Sequence, residues 1–187
     1  SMRATLVHQF LEHHAQHRPE AILVLDGATR ASYGAVESQA NRIARGLRIE
    51  GIEPGDRVGL LAVNSLAYIE SYYGILKAGA IAVSLNAAAD WRTHCELLEH
   101  SQARGLICGE RMGRRAEGLD QLTHLEFIIG SLPDWSGTLD ILGGYRFRDR
   151  QAILQAMEDQ PLHLPLADRN RAAIVYTSGS TGRPKGV

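Results

Sequence analysis

The end of the chain, from Tyr176 to Gly186, combines hydroxyl residues, glycines and a lysine in a way that suits phosphate binding. Glycine permits backbone turns in which successive N–H groups point inward at an anion. The hydroxyl groups add further donors, and the lysine adds a compact positive charge. The candidate phosphate-binding residues are Thr177, Ser178, Gly179, Ser180, Thr181, Gly182 and Lys185.

Two other interpretations of this run are weaker. A Walker A loop is excluded, because its Gly-x-x-x-x-Gly-Lys-[Ser/Thr] pattern does not match these residues. A flexible Ser/Gly linker would have a similar composition. However, the apolar run Ala172–Tyr176 leads directly into the glycines and predicts a buried strand, and Pro184 to Gly186 stiffen the exit. The pattern therefore favours phosphate binding over a linker.

The longer run Ile174–Gly186 resembles the signature phosphate loop of the adenylate-forming superfamily. That superfamily includes acyl-CoA synthetases, the adenylation domains of nonribosomal peptide synthetases, and luciferases. Ser32–Val36 is similar to a helix start of this family, and Leu76–Val83 is similar to its second core motif. Leu85-Asn86 resembles the acyl-CoA synthetase version more than the peptide-synthetase version. The resemblance extends from about Leu6 to Val187.

This resemblance implies a two-step reaction. A carboxylic acid attacks the α-phosphate of ATP, with Mg²⁺ present, to give acyl-AMP and pyrophosphate. A thiol, from CoA as co-substrate or from the phosphopantetheine of a carrier protein, then takes the acyl group. The candidate loop residues would stabilise the charge on the departing phosphates. Peptide-synthetase relatives leave a second possibility open, an amino-acid adenylation domain that loads a carrier protein.

Family members continue for several hundred residues, so the resemblance also implies that residues 3–187 are the N-terminal portion of the large AMP-binding domain. Catalytic residues, the Mg²⁺ ligand and the acyl and adenine pockets are then expected downstream of Val187, and no metal ligand is predicted within the chain. Residues 1–187 alone are expected to be inactive. A third interpretation is an inert fragment or interaction module that has kept the loop. Ser1-Met2 is interpreted as the remnant of a purification tag.

The composition of the chain excludes some classes of partner. With a net charge of −1 over 187 residues, the chain lacks the excess of basic residues that is typical of proteins that bind nucleic acid. No apolar run is long enough to span a membrane, and no signal peptide is evident. Cys95 and Cys108 are too few for a disulfide framework, which favours a reducing, cytoplasmic location. Uncovered apolar surface on the piece alone makes a homo-oligomer one expectation.

Apolar periodicity predicts an α/β fold with a mostly parallel sheet flanked by helices. Short unalternating runs, as in Val58–Val63 and Gly105–Cys108, are typical of strands covered on both faces. A hairpin is predicted around Asp26-Gly27. The remaining predicted strands are Ile81–Leu85 and His124–Ile129, and the predicted helices begin near Thr5, Ser32, Ser65, Asp90 and Phe147. The predicted core is Val58, Leu60, Leu61, Ile69, Leu76, Ile81, Val83, Ile107, Ile174 and Val175.

Two groups of polar residues are ambiguous. His13 and His17 are four residues apart on the first helix, a spacing that suits a metal, but with no further ligand nearby a solvated face is favoured. Arg111, Arg114 and Arg115 could contact an anion such as a CoA phosphate, although a solvated basic helix face is the favoured interpretation. Asp168 is interpreted as a turn residue.

Overall fold

The structure is a computed structural model that describes residues 7–24, 29–63, 65–138, 144–164, 176–178 and 184–186. Its first half contains α1 (Val7–His17), β1 (Ile22–Val24), β2 (Arg30–Ser32), α2 (Tyr33–Ile49), β3 (Arg57–Leu61), α3 (Ser65–Lys77) and β4 (Ile81–Ser84). Its second half contains α4 (Trp91–His100), β5 (Gly105–Cys108), β6 (Phe127–Gly130), α5 (Leu132–Trp135), β7 (Arg146–Asp149), α6 (Arg150–Ala156), β8 (Tyr176–Ser178) and β9 (Pro184–Gly186).

Seven of the strands form one sheet in the order β7-β6-β5-β3-β4-β8-β9. Every neighbouring pair is parallel except β8 and β9, which are antiparallel. A separate antiparallel pair, β1 and β2, is the predicted hairpin. The predicted α/β class with a mostly parallel sheet is therefore confirmed. The turn residues Asp26 and Gly27 lie outside the described residues.

The helices follow from caps and apolar stripes in the sequence. The Ser32 side chain accepts a hydrogen bond from the backbone N–H of Ala35 at 3.1 Å and so starts α2, as predicted. Gly51, at φ 94°, occupies the left-handed conformation after the end of that helix. The bounds of α3 match the prediction, and α4 begins after Asp90, whose carboxylate accepts the N–H of Thr93 at 2.9 Å. The beginning of α1 near Thr5 lies outside the described residues.

The end of α3 carries the second motif of the predicted resemblance, and its lysine has a structural position. Lys77 is 5% exposed, and its ammonium donates to Glu12 at 3.0 Å and to Glu37 at 2.6 Å. These two carboxylates belong to α1 and α2, so the lysine joins three helices. Gly79, at φ 79°, then turns the chain into β4. The motif is therefore explained by a buried charge and a tight turn.

The sheet is covered on both faces. One face packs against α2, α3 and α6 and includes Ile43, Leu47, Val58, Leu60, Ile75, Ile107 and Phe127. The other face packs against α4 and includes Leu61, Val83, Trp91, Leu98, Leu106, Ile128 and Trp135. Of the predicted core, Val58, Leu60, Leu61, Leu76, Ile81, Val83 and Ile107 are buried, and Ile69 is partly buried. Ile174 and Val175 lie outside the described residues.

Two predictions between residues 124 and 157 need correction, and one short helix in this region is not predicted. The helix predicted from Phe147 is wrong for its first residues, because 147–149 belong to β7 and α6 begins only at Arg150. Edge strand β7 is held by charges: Arg146 and Arg148 donate to the buried carboxylate of Glu50 at 2.9 and 2.5 Å. The strand predicted from His124 begins later, at Phe127, and the short helix α5 has no counterpart among the predicted helices.

After α6 the chain crosses the outside of α2 as an extended strap, residues 157–164. Side chains of α2 hold the strap through its backbone. Arg42 donates to the carbonyl of Met157 at 2.9 Å, Asn41 to that of Asp159 at 2.9 Å, and Arg45 to that of Gln160 at 2.7 Å. Leu164 then lies against Gly79 at the start of β4. The strap thus carries the chain from the β7 side of the sheet to the β4 side.

Candidate functional site

Three of the candidate phosphate-binding residues, Thr177, Ser178 and Lys185, lie on the paired strands β8 and β9 at one end of the sheet. Tyr176 pairs with Val83 of β4, which places β8 beside β4 and parallel to it. In the hairpin, Thr177 pairs with Lys185 and Ser178 with Pro184. The loop residues Gly179, Ser180, Thr181 and Gly182 lie outside the described residues. Because β8 is parallel to β4, the residues after Ser178 follow the carboxyl end of a parallel strand, where ligands bind in open α/β sheets.

A hydrogen bond from α3 supports the strand on which this hairpin is seated. The hydroxyls of Tyr68 and Ser84 lie 2.7 Å apart. Ser84 is the last residue of β4 and directly follows Val83, the partner of Tyr176. The Tyr68 ring stacks on that of Tyr72 with 6.0 Å between ring centroids. The end of β4 beside the hairpin is therefore tied to a packed helix.

A pocket of about 480 Å³ opens beside the carboxyl end of β3 and the start of α4. Its lining combines apolar, aromatic and charged groups: Leu61, Ala87, Ala89, Asp90, Trp91, His94, Arg111, Met112, Arg115 and Glu117. The rings of Trp91 and His94 meet edge to face, with 5.3 Å between centroids. Burial lowers the pKa of His94 below its ordinary value of 6.5, so this imidazole is neutral at pH 7.

The pocket carries charges of both signs. Its lining includes two guanidinium groups, those of Arg111 and Arg115, and two carboxylates, those of Asp90 and Glu117. Asp90 already accepts the N–H of Thr93 as the cap of α4, and this hydrogen bond lowers its pKa. The cap does not remove this charge, so two cations and two carboxylates leave the lining without net charge. Guanidinium groups beside apolar and aromatic side chains can nevertheless donate hydrogen bonds to a phosphate-bearing ligand that has an apolar or aromatic part.

The arginines of this pocket do not lie on a helix, so the predicted basic helix face is wrong. Residues 109–115 form a turn after β5, in which Arg111 has φ 69°. Arg114 is directed at Asp134 of α5, with 3.0 Å between its Nε and the carboxylate. Sequence reasoning misses Asp134 and Tyr68, since each acts through a partner more than ten residues away.

The remaining candidates are not brought into a site. His13 and His17 are exposed, as a solvated face predicts, and their rings stack with 4.3 Å between centroids.

Both cysteines are free thiols; burial raises the pKa of Cys95 to about 11 and also raises that of Cys108. No group of three His, Cys, Asp or Glu side chains within the described residues could hold a metal ion. Among the same residues, none of the helices is long and apolar enough to cross a membrane. Asp168 lies outside them.

Comparisons of the chain with known proteins identify its family. The chain belongs to the AMP-binding enzyme family, whose family model matches residues 11–187. A feruloyl-CoA synthase from Amycolatopsis sp is 34% identical over 174 residues, which cover 92% of this chain and 31% of that protein. A linear gramicidin synthase from Brevibacillus parabrevis is 29% identical over 185 residues, which cover 99% of this chain and 3% of that protein.

Solved structures show the same fold. The anthranilate CoA ligase AuaEII, in complex with anthranoyl-AMP, matches with a TM-score of 0.79 and 25% identity, over 98% of this chain and 33% of that one. The chain spans about a third of the length of the CoA ligases that it matches. The fold and family therefore rest on nearly the whole chain, while most of each relative has no counterpart in it.

Proposed function

We propose that the chain is the front part of an enzyme that activates a carboxylic acid with ATP to an acyl-AMP and then transfers the acyl group to CoA. The observation that carries this proposal is the hairpin of β8 and β9, which brings the family's phosphate-loop motif to the carboxyl edge of a parallel sheet. The family match supports it. Relatives of both kinds, CoA ligases and a peptide synthetase, agree on the first step.

In the first step a carboxylate attacks the α-phosphate, and negative charge builds on the departing pyrophosphate. The backbone and hydroxyls of Thr177 and Ser178 would donate hydrogen bonds to that charge, and Lys185 would offset it. Gly179, Ser180, Thr181 and Gly182 would supply the N–H groups of the loop. Donors fixed before the reaction stabilise this charge without reorganisation, which is why a strand-seated loop is effective.

Mg²⁺ normally accompanies ATP. Because the chain spans about a third of the length of the CoA ligases that it matches, the proposal places the metal ligands, the acyl pocket and the catalytic groups in residues beyond 187. Residues 3–187 would then be the N-terminal portion of the large AMP-binding domain. On this proposal residues 1–187 alone bind phosphate weakly and do not turn over, because nothing in them orients the carboxylate for attack.

The pocket with Arg111 and Arg115 favours CoA as the acceptor. CoA carries a pyrophosphate, a further phosphate and an adenine, which match the two guanidinium groups and the apolar and aromatic lining of the pocket. The phosphopantetheine of a carrier protein offers only a phosphodiester. The peptide-synthetase relatives keep the carrier protein as the alternative acceptor.

The first test is carboxylate-dependent exchange of labelled pyrophosphate into ATP by the full-length enzyme, across a panel of aromatic and aliphatic acids. Thr177→Ala, Ser178→Ala and Lys185→Ala should each slow exchange by about 10²-fold or more, with little change in melting temperature. Arg92→Ala is a matched control, because it removes a cation whose side chain is 87% exposed. If folded full-length protein shows no exchange with any acid of the panel, the proposal is contradicted. Equal loss of stability and activity would make the loop structural.

The second test separates the acceptors. Preformed acyl-AMP enzyme is offered CoA, pantetheine or a phosphopantetheinylated carrier protein, and thioester formation is measured. We expect CoA to react at a lower KM than pantetheine. Faster transfer to the carrier protein than to CoA would favour the amino-acid adenylation alternative.

A further inference from the structure

The turn that carries Arg111 and Arg115 is held in a conformation that needs support. Arg111 has φ 69°, in the left-handed region that residues with a side chain rarely occupy. Within the turn, Met112 donates its N–H to the carbonyl of Gly109 at 3.3 Å, and Gly109 donates to Leu61 at 2.7 Å. These bonds fix the beginning of the turn, but they do not fix its middle.

Asp134 of α5 supplies the missing support. Its side chain is only 4% exposed. One carboxylate oxygen accepts the backbone N–H of Arg111 at 2.6 Å, and the other accepts Nε of Arg114 at 3.0 Å. A single buried carboxylate therefore binds the turn at its left-handed residue and three residues later. Its charge is offset by Arg114, which is not among the residues that line the pocket.

Trp135, the next residue of α5, fixes the same turn by contact. Its side chain is fully buried, and a Cβ added to Gly113 would lie 2.2 Å from the indole Nε1. The turn backbone therefore runs directly against the ring. The indole also meets Trp91 of the pocket edge to face, with 6.2 Å between centroids. Hydrogen bonds and packing thus hold the turn from one short helix.

We propose that Asp134 is a positioning residue that holds Arg111 and Arg115 at the pocket, so that they meet the phosphates of the acceptor without reorganisation. This inference rests on the proposed transfer to CoA. The carboxylate touches neither ATP nor the acceptor; it acts through the turn. A guanidinium held in place loses less conformational entropy on binding than one on a mobile turn, so loss of the clamp weakens binding of the phosphates in particular.

The test is Asp134→Asn in the full-length enzyme. The amide still accepts the N–H of Arg111 but no longer attracts Arg114. We expect the KM for CoA to rise by roughly tenfold, the effect of weakening one charge-assisted hydrogen bond. Pyrophosphate exchange and the KM for pantetheine, which lacks the phosphates, should stay within about twofold. A merely structural role would change all three.

Asp149→Asn is the matched control. Asp149 also accepts two backbone N–H groups near α5, from Leu132 at 3.0 Å and Ala152 at 3.2 Å, but it does not touch the arginine turn. This variant should leave the KM for CoA unchanged. If Asp134→Asn does not fold, Arg114→Gln tests the same clamp from its exposed partner, and a rise in the KM for CoA without a rise for pantetheine is again expected.

The outcomes separate this inference from the proposed function. If the unaltered enzyme exchanges pyrophosphate but uses CoA no better than pantetheine, the acceptor proposal is wrong and the inference is overturned with it. If it prefers CoA, yet Asp134→Asn and Arg114→Gln both leave that KM unchanged, only the positioning role is overturned. A rise of the same size for CoA and pantetheine would also overturn it.

Discussion

Replacement of Lys77 by methionine should destabilise the protein strongly without altering the chemistry. The Lys77 side chain is 3% exposed, and its partner Glu37 is 15% exposed. Methionine fills a similar volume but leaves the Glu37 carboxylate with one donor, the Asn41 amide at 3.2 Å. One oxygen of Glu37 already has no hydrogen-bond partner. The charge that stays behind is therefore buried and uncompensated.

Removal of one member of a buried ion pair costs about 3–5 kcal/mol. In a domain of this size each kcal/mol lowers the melting temperature by roughly 2–4 °C, so Lys77→Met should lower it by roughly 6–20 °C. Glu12→Gln should lower the free energy of unfolding by about 1 kcal/mol or less, because the Glu12 side chain is 36% exposed and solvent screens its ion pair with Lys77. The melting temperature of residues 1–187, from calorimetry, and the rate of pyrophosphate exchange per folded molecule of the full-length enzyme provide the measurement.

A double variant separates charge from packing. Lys77→Met combined with Glu37→Met removes both charges, and an apolar pair of similar volume is often as stable as the ion pair it replaces. We therefore expect the double variant to be more stable than Lys77→Met alone. A Lys77→Met protein that melts within about 2 °C of the unaltered one would refute the reasoning. So would a large loss of exchange at full folding, which would place the lysine in the chemistry.

Two further predictions concern the core and the thiols. Gly105→Ala should lower the free energy of unfolding by about 1–3 kcal/mol, because the added Cβ would lie 2.2 Å from the buried ring of Phe127. Gly137→Ala, whose added Cβ would have no atom within 4 Å, should lower it by no more than about 0.5 kcal/mol. Equal melting temperatures for the two variants would contradict this prediction. Because the pKa of Cys95 is raised from 9.0 to about 11, its alkylation should be slow at pH 8.5, and stability should fall from pH 9 to 11 as the unfolded thiol ionises first. Cys108 should stay unlabelled, and rapid labelling of either thiol in folded protein would refute the assigned burial.

The sequence predicts most of the fold where a signal is local. Ser32 is a cap with its acceptor three residues from the donor, and the apolar runs of β3, β4 and β5 have few polar residues to suggest another structure. Strand β7 has the opposite character. Its Arg-Phe-Arg-Asp sequence is charged, as suits an edge strand, and it is stabilised by Glu50, which lies 96 positions before Arg146 and 98 before Arg148. No local pattern contains that information.

The candidate site divides in the same way. The residues that are proposed to bind phosphate lie within one short run, whose glycine and hydroxyl content predicts that role. The arginines of the turn also stand out in the sequence, but three arginines in five positions are equally compatible with a helix face. Only the pairing of Asp134 with residues 20 and 23 positions earlier shows that these arginines lie on a clamped turn.

The strand order has a consequence for synthesis of the protein on the ribosome. The first strand of the sheet to be synthesised is β3, which lies in its middle, and the next strands are added on both sides of it. Strand β4, which pairs with β8, is therefore synthesised about ninety residues before β8. On the proposed function, a nascent chain would contain the pocket with Arg111 and Arg115 before the residues that are proposed to bind ATP are synthesised. Affinity for nucleotide would then appear late in translation, after the strands and helices that support β8 have formed.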